Sequence, residues 1–280
     1  MPGGAMQPGS PVVLITGAGS GLGAEMARRF ARAGFRVAVT DVDAGRAENV
    51  SKELVESGAT SLYSVLDVTS DADWERVRQE VLDQWSAVNV LVNNAGVAAS
   101  GAFEQTSMAD WQWVIDIDLM GVVRGSHYLM AVLRSEAEAG RTAHLINIAS
   151  FAGFSAMPGL SAYGTAKAAV ISLSEHLMTE LDGTGVGVSV VCPSFVATNL
   201  LETFRSTDSD TQKTVERWMK HSPVTAKDVA DIVFDAMCQN QFLVLTHPKT
   251  QWALRLKKYF PKRYYRRISE LGRLARGDKK

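Results

Sequence analysis

An α/β fold built on a doubly wound, mostly parallel sheet is what this sequence predicts, and two observations predict it. Seven short apolar or β-branched runs punctuate the chain: PVVLIT, RVAVTD, SLYSVLDV, VNVLVNN, AHLINIAS, GVSVVCPS and FLVLT. Longer stretches with amphipathic helical spacing separate them, among them residues 24–33 and 73–85. Strands alternating with helices make βαβ units, and right-handed crossovers then put helices on both faces of a parallel sheet.

The bulk numbers agree with one large domain. The 280 residues are 46% hydrophobic and 21% charged, the balance of an ordinary globular protein. No apolar run approaches the roughly 20 residues that span a bilayer. The opening MPGGAMQPGS lacks a basic stretch followed by an apolar core, so residues 1–10 read as a flexible tail and the expected location is cytoplasmic. Cys192 and Cys238 stand far apart, outside any Cys/His cluster, which argues against a disulfide framework and against a metal site. The only compositional break falls near His247-Pro248, so residues 11–247 form the expected single domain and 248–280 an extension.

Charge is unevenly shared. Residues 249–280 carry twelve Lys and Arg against two acidic residues, Glu270 and Asp278, whereas residues 1–248 carry 17 basic and 28 acidic ones. Within the extension, Trp252, Leu256, Tyr259 and Phe260 recur at helical spacing, and Tyr264, Ile268 and Leu271 follow Pro261 on a second stripe. Three readings fit such basic amphipathic helices: packing on the body or on a neighbouring subunit, contact with an anionic membrane surface, and nucleic-acid contact, although no nucleic-acid motif is present.

Chemistry enters at the first turn. VVLITGAGSGLGAEMARRF is a strand, a glycine-rich turn over Gly17, Gly19, Ser20, Gly21, Leu22 and Gly23, and a helix. Such a turn lets the backbone approach a ligand, and the helix N-terminus offers free N–H groups to a pyrophosphate. Asp41 ends the second run, where a carboxylate accepts hydrogen bonds from both hydroxyls of an adenosine ribose. A 2′-phosphate there would meet like charge, and neither Ser20 nor Val42 supplies a cation, so NAD(H) is the expected cofactor.

The spacing T-G-x-x-x-G-x-G over 16–23 resembles that of the short-chain dehydrogenase/reductase family, and the resemblance covers about residues 11–247. It implies a seven-stranded Rossmann sheet. Asp67-Val68 is similar to the family's adenine-contacting pair, and Asn93-Asn94-Ala95-Gly96 to its N-N-A-G run beside the cofactor. Pro193, Val196 and Thr198 match the loop that contacts nicotinamide, with Ser194 standing where the family has Gly, a departure expected to cost backbone freedom. Oligomers, dimers or tetramers, are a further implication of the resemblance.

NIASFAGFSAMPGLSAYGTAKAAV sets Ser150 thirteen residues before Tyr163 and Lys167 four after it. Four residues along a helix put two side chains on one face, so the Lys167 ammonium can favour the Tyr163 phenolate. Tyr163 is then an acid/base for an alcohol proton, and Ser150 a donor to the substrate oxygen. The resemblance implies that these three are the catalytic set and that Lys167 also holds the nicotinamide ribose.

Asp118 is the odd residue. In WQWVIDIDLMGVV it occupies the place where the family usually carries Asn, a residue that by resemblance helps hold a water linking the lysine to solvent. A carboxylate keeps the acceptors and loses the two amide donors. Neutral drift, a retuned relay and impaired catalysis all remain open. Residues 199–222 read as a cover over the substrate. Leu200, Leu201, Phe204, Trp218 and Met219 there, with Phe154, Met157 and Phe195, suggest a hydrophobic alcohol or ketone. The expected activity is interconversion of a secondary alcohol and a ketone; the alternative is a catalytically weak NAD(H)-binding sensor or scaffold working through the basic tail.

Overall fold

Val12 to Thr16 are all buried, and the strand they form shows why the apolar runs are continuous instead of alternating. Val13 and Ile15 point to one face of the sheet, Val12 and Leu14 to the other, and both faces are covered by helices. A computed structural model gives the molecule, describing residues 9–197, 202, 204–206 and 217–275, with side chains to 273.

The strands are β1 (Val12–Thr16), β2 (Arg36–Asp41), β3 (Ser61–Val65), β4 (Val90–Asn93), β5 (Ala99–Ser100), β6 (His144–Ile148), β7 (Gly187–Cys192), β8 (Arg205–Ser206) and β9 (Leu243–Leu245). Seven of them make one sheet in the order β3-β2-β1-β4-β6-β7-β9, every pair parallel. All seven coincide with the apolar runs of the sequence. The helices are α1 (Gly21–Arg32), α2 (Ala44–Glu56), α3 (Asp71–Trp85), α4 (Met108–Ile115), α5 (Gly121–Glu138), α6 (Ala152–Ser155), α7 (Ser161–Glu180), α8 (Ala226–Cys238), α9 (Pro248–Tyr259) and α10 (Pro261–Ala275). One face of the sheet carries α1, α2 and α8 around Met26, Phe30, Leu54 and Val233. The other carries α3, α5 and α7 around Trp74, Leu129, Leu133 and Val170.

Helix α8 starts at a reciprocal cap: Thr225 Oγ1 accepts from the Asp228 N–H at 3.1 Å, and Asp228 Oδ2 accepts from the Thr225 N–H at 2.8 Å. Thr225→Ala leaves the Asp228 N–H without its acceptor and is expected to cost about 1 kcal/mol. A lowered thermal midpoint checks this.

Chain order reverses between β1 and β4, and ligands of open α/β sheets bind at the carboxyl ends of the strands at such a switch point. Two details there differ from a plain strand-helix alternation. Residues Asp116–Met120 form a π-helical turn between α4 and α5, and β5 pairs with β8 in a separate two-stranded sheet tied by Ser100 Oγ to Ser206 Oγ at 2.9 Å.

Candidate active site

The glycine-rich turn leaves β1 and enters α1 through backbone that only glycine tolerates well. Gly17 has φ +62°, and a Cβ on it would lie 2.9 Å from the Ala95 Cα. A side chain on Gly23 would collide with the Gly17 carbonyl. Ser20 is the N-cap of α1 yet its side chain makes no capping bond, and the first turn holds no acid, so the opening N–H groups keep their pull on an anion. Gly19 and Gly21 complete the turn, and Leu22 packs against the core behind it.

Neighbouring loops lock this turn in place. Thr16 Oγ1 accepts from the N–H groups of Asn94 and Ala95, each at 2.9 Å, and Asn94 Nδ2 donates to the Thr16 and Gly17 carbonyls at 2.8 and 3.1 Å. Asp41 Oδ2 accepts from the Gly19 N–H at 3.0 Å and Oδ1 from the Asp43 N–H at 3.0 Å, which sets its carboxylate on the rim of the turn. Asp67 is exposed and held by Thr69, whereas the Val68 side chain is buried beside Trp74 in the core. Only Asp67 and the backbone of this pair therefore face outward.

A cation that sequence reasoning missed stands here too. Arg46, in the first turn of α2, lies against Gly19, its Cβ 2.6 Å from where a Gly19 side chain would be. Its guanidinium meets Glu202 at 2.8 Å and Asp43 at 3.5 Å. Its place five residues beyond Asp41, at the start of the next helix, was the available signal.

The catalytic candidates converge at the end of β6. Helix α7 carries Tyr163 and Lys167 one turn apart, with the Lys167 Nζ 5.7 Å from the Tyr163 ring centre. Lys167 is buried; its Nζ donates to the Ile148 carbonyl at 3.2 Å and stands 3.4 Å from Asp118 Oδ2. Asp118 is fully buried on the π-helical turn, and its Oδ1 accepts from the Val97 N–H at 2.7 Å. Gly96 leaves room for this pair, since a Cβ there would lie 3.2 Å from Asp118 Oδ1 and 3.3 Å from Lys167 Nζ. Ser150 follows β6, its Oγ accepting from the Ala152 N–H at 3.1 Å and donating to the Pro193 carbonyl at 3.4 Å.

The electrostatics differ from the simple expectation. Burial pushes the Tyr163 phenol above its ordinary range; the Lys167 ammonium pulls it down, and the Asp118 carboxylate pushes it up again. Burial also works against the Lys167 ammonium, but the adjoining Asp118 leaves it raised. Asp118 is itself raised, because burial outweighs the help of Lys167 and the Val97 N–H. The cation that should favour phenolate is thus partly neutralised by Asp118.

Opposite Ser150, the loop after β7 closes the site. The Pro193 carbonyl accepts from the Phe151 N–H at 2.8 Å, and Val196 is buried against the core. Ser194 keeps a negative φ, so the departure from Gly leaves no strained backbone. Its N–H donates instead to His247 Nδ1 at 3.3 Å, and His247 Nε2 lies 3.1 Å from the Phe195 carbonyl. His247, overlooked in the sequence, follows the seventh apolar run at the carboxyl end of a parallel strand, the end where ligands gather. Thr198, Leu200 and Leu201 lie outside the described residues, as does most of the 199–222 cover. Of its described part, Trp218 packs on Phe195 with ring centres 5.0 Å apart and Met219 is buried. Burial raises Cys192, behind the site, to about 12, which makes it a packing residue rather than a nucleophile. Among the described residues no group of three or more His, Cys, Asp or Glu is arranged to hold a metal.

This arrangement fits a nicotinamide dinucleotide: a glycine cradle and uncapped helix start for pyrophosphate, a carboxylate on the rim for ribose, and a hydrogen-bonding trio at the far end. Comparison with known proteins points the same way. The family model described as short chain dehydrogenase matches residues 11–209. The probable oxidoreductase EphD of Mycobacterium tuberculosis is 34% identical over 207 residues, 73% of this chain, which spans only 34% of that protein's length. Sulfoacetaldehyde reductase 2 of Chromohalobacter salexigens is 36% identical over 229 residues, covering 80% of this chain and 87% of the relative. A short chain dehydrogenase/reductase from Burkholderia phymatum, solved in complex with NAD, superposes with a TM-score of 0.85 at 30% identity over 92% of this chain and 96% of that one. With the seven-stranded parallel sheet and the ordered glycine, asparagine, serine, tyrosine and lysine positions, these matches establish that the chain belongs to the short-chain dehydrogenase/reductase family.

Proposed function

We propose that this protein is an NAD(H)-dependent oxidoreductase that interconverts a hydrophobic secondary alcohol and its ketone. The observation that carries the reading is the meeting of Ser150, Tyr163 and Lys167 at the carboxyl end of β6, beside the glycine cradle. When bound in that cradle, the nicotinamide supplies or accepts the hydride. The residues of the chain do the rest. Ser150 donates to the substrate oxygen, where negative charge develops. Tyr163 takes the alcohol proton in the oxidative direction and returns it in the reductive one. Lys167 favours the phenolate and holds the ribose, fixed by the Ile148 carbonyl and Asp118.

Asp41 supports NAD(H) over NADP(H), since its carboxylate on the Gly19 N–H would repel a 2′-phosphate. The nearby Arg46 does not offset this, because Asp43 and Glu202 already occupy its guanidinium. Asp41→Ala removes the charge-assisted contacts to the ribose and is expected to lower the NAD/NADP ratio of kcat/KM roughly 10- to 100-fold. An unchanged ratio would contradict the assignment of Asp41.

One observation favours a second reading. The buried Asp118 carboxylate opposes the effect of Lys167 on Tyr163, as in a chain that binds NAD(H) and turns over little. NADH formation from NAD with a panel of lipophilic secondary alcohols, across roughly pH 6 to 10, a range reaching the ordinary phenol pKa, separates the two. Turnover supports the oxidoreductase; tight NADH binding with no turnover on any alcohol or ketone supports the sensor.

A further inference from the structure

The C-terminal helices α9 and α10 form a hairpin whose inner side is firmly seated. Tyr264 is buried, and its hydroxyl donates to the Ser155 carbonyl at 3.0 Å. Burial pushes that phenol to about 12, so the hydroxyl stays a donor. Lys257 Nζ donates to the Phe154 carbonyl at 2.6 Å, and Gly272 lies directly against Pro158. These contacts fix the hairpin on the loop that follows Ser150.

Its outer side is unusual for a protein surface. Trp252, Tyr259, Phe260 and Tyr265 are 56%, 65%, 55% and 46% exposed. Cations stand over them: Arg267 of α10 lies 5.7 Å from the Trp252 ring of α9, Arg263 5.7 Å from Phe260, and Lys258 5.4 Å from Tyr259. All ion pairs among the described residues lie between residues 25 and 235, so no described cation of the hairpin has a carboxylate partner. Exposed aromatics interleaved with unpaired Lys and Arg match a surface that is negative outside and apolar beneath. No helix among the described residues is long and apolar enough to cross a bilayer, so contact would be peripheral.

We infer that the outer face of the α9–α10 hairpin docks on an anionic lipid membrane. Cations contact the lipid phosphates, and Trp252, Tyr259 and Phe260 enter the headgroup region, where amphipathic rings are favoured. Because the inner side rests on the loop after Ser150, docking would turn the catalytic end of the sheet toward the bilayer. The surface itself does not depend on the proposed reaction.

Flotation of the full-length protein with vesicles tests this. The wild type should float with an equal mixture of phosphatidylcholine and phosphatidylglycerol, stay behind with phosphatidylcholine alone, and be released by added salt. The combined variant Lys262→Gln, Arg263→Gln, Arg266→Gln and Arg267→Gln should partition roughly 10²- to 10³-fold more weakly, at about fivefold per cation. Its thermal midpoint and turnover of a water-soluble alcohol should match the wild type. Absence of flotation, or equal flotation of both forms, overturns the inference. So does a gel shift of a DNA or RNA oligonucleotide without vesicle binding, or a loss of self-association by the variant without vesicle binding.

Discussion

Tyr163→Phe is expected to lower kcat/KM at least about 10²-fold in both directions, the scale of a lost general acid/base. The exchange removes one hydroxyl and keeps the ring, so the Lys167 ammonium still lies across the same face and the α7 backbone has no reason to move. Cofactor binding should therefore survive. Fluorescence titration with NADH, run beside the kinetics, distinguishes a lost proton path from a damaged site. Wild-type NADH affinity with turnover abolished is the expected pair of results. A near-normal rate would remove Tyr163 from the chemistry and leave Ser150 and Lys167 without a reacting partner. Because burial holds the phenol above its ordinary range, the oxidative rate of the wild type should climb as pH rises through the titration of Tyr163.

The parts of this molecule that the sequence disclosed are those governed by short-range rules. Seven apolar runs coincide with the seven strands of the main sheet, and in a central strand such as β1, buried on both faces, the run VVLIT has no polar interruption to mislead. The turn from Thr16 to Gly23 was legible because backbone geometry itself demands glycine at Gly17. What stayed hidden depends on contacts between distant segments. β5 and β8 are two residues each and lie 106 positions apart at Ser100 and Ser206, too short and too remote for any periodicity to announce them. Arg46 and His247 gain their importance from neighbours at Gly19, Glu202, Ser194 and Phe195, none of which is adjacent in the chain. The net shift of Tyr163 also escaped prediction: helical spacing reveals that Lys167 shares its face, but not how much water burial removes.

The π-helical turn at 116–120 belongs to the same class, and through Asp118 it matters most. Such turns favour functional sites because the wider coil re-aims one side chain, here a carboxylate, into the core. Two substitutions separate its structural from its chemical role. Asp118→Ala leaves the Val97 N–H and the buried Lys167 ammonium without their partner, and breaking a buried pair costs about 3–5 kcal/mol. A large fall in the thermal midpoint checks it. Asp118→Asn keeps an acceptor for Val97 and removes only the charge, so the fold should largely hold. With that charge gone, one of the influences that raise Tyr163 disappears, while Lys167 still favours phenolate. The sign follows: Tyr163 ionises at lower pH, and the acid limb of kcat/KM for alcohol oxidation should move to lower pH. A limb at its wild-type position would mean that Asp118 is a drifted structural residue. A limb displaced downward with comparable plateau rates would mean that it tunes a working relay. Turnover that arises only in the Asn variant would mean that the native carboxylate keeps this chain closer to binding NAD(H) than to using it.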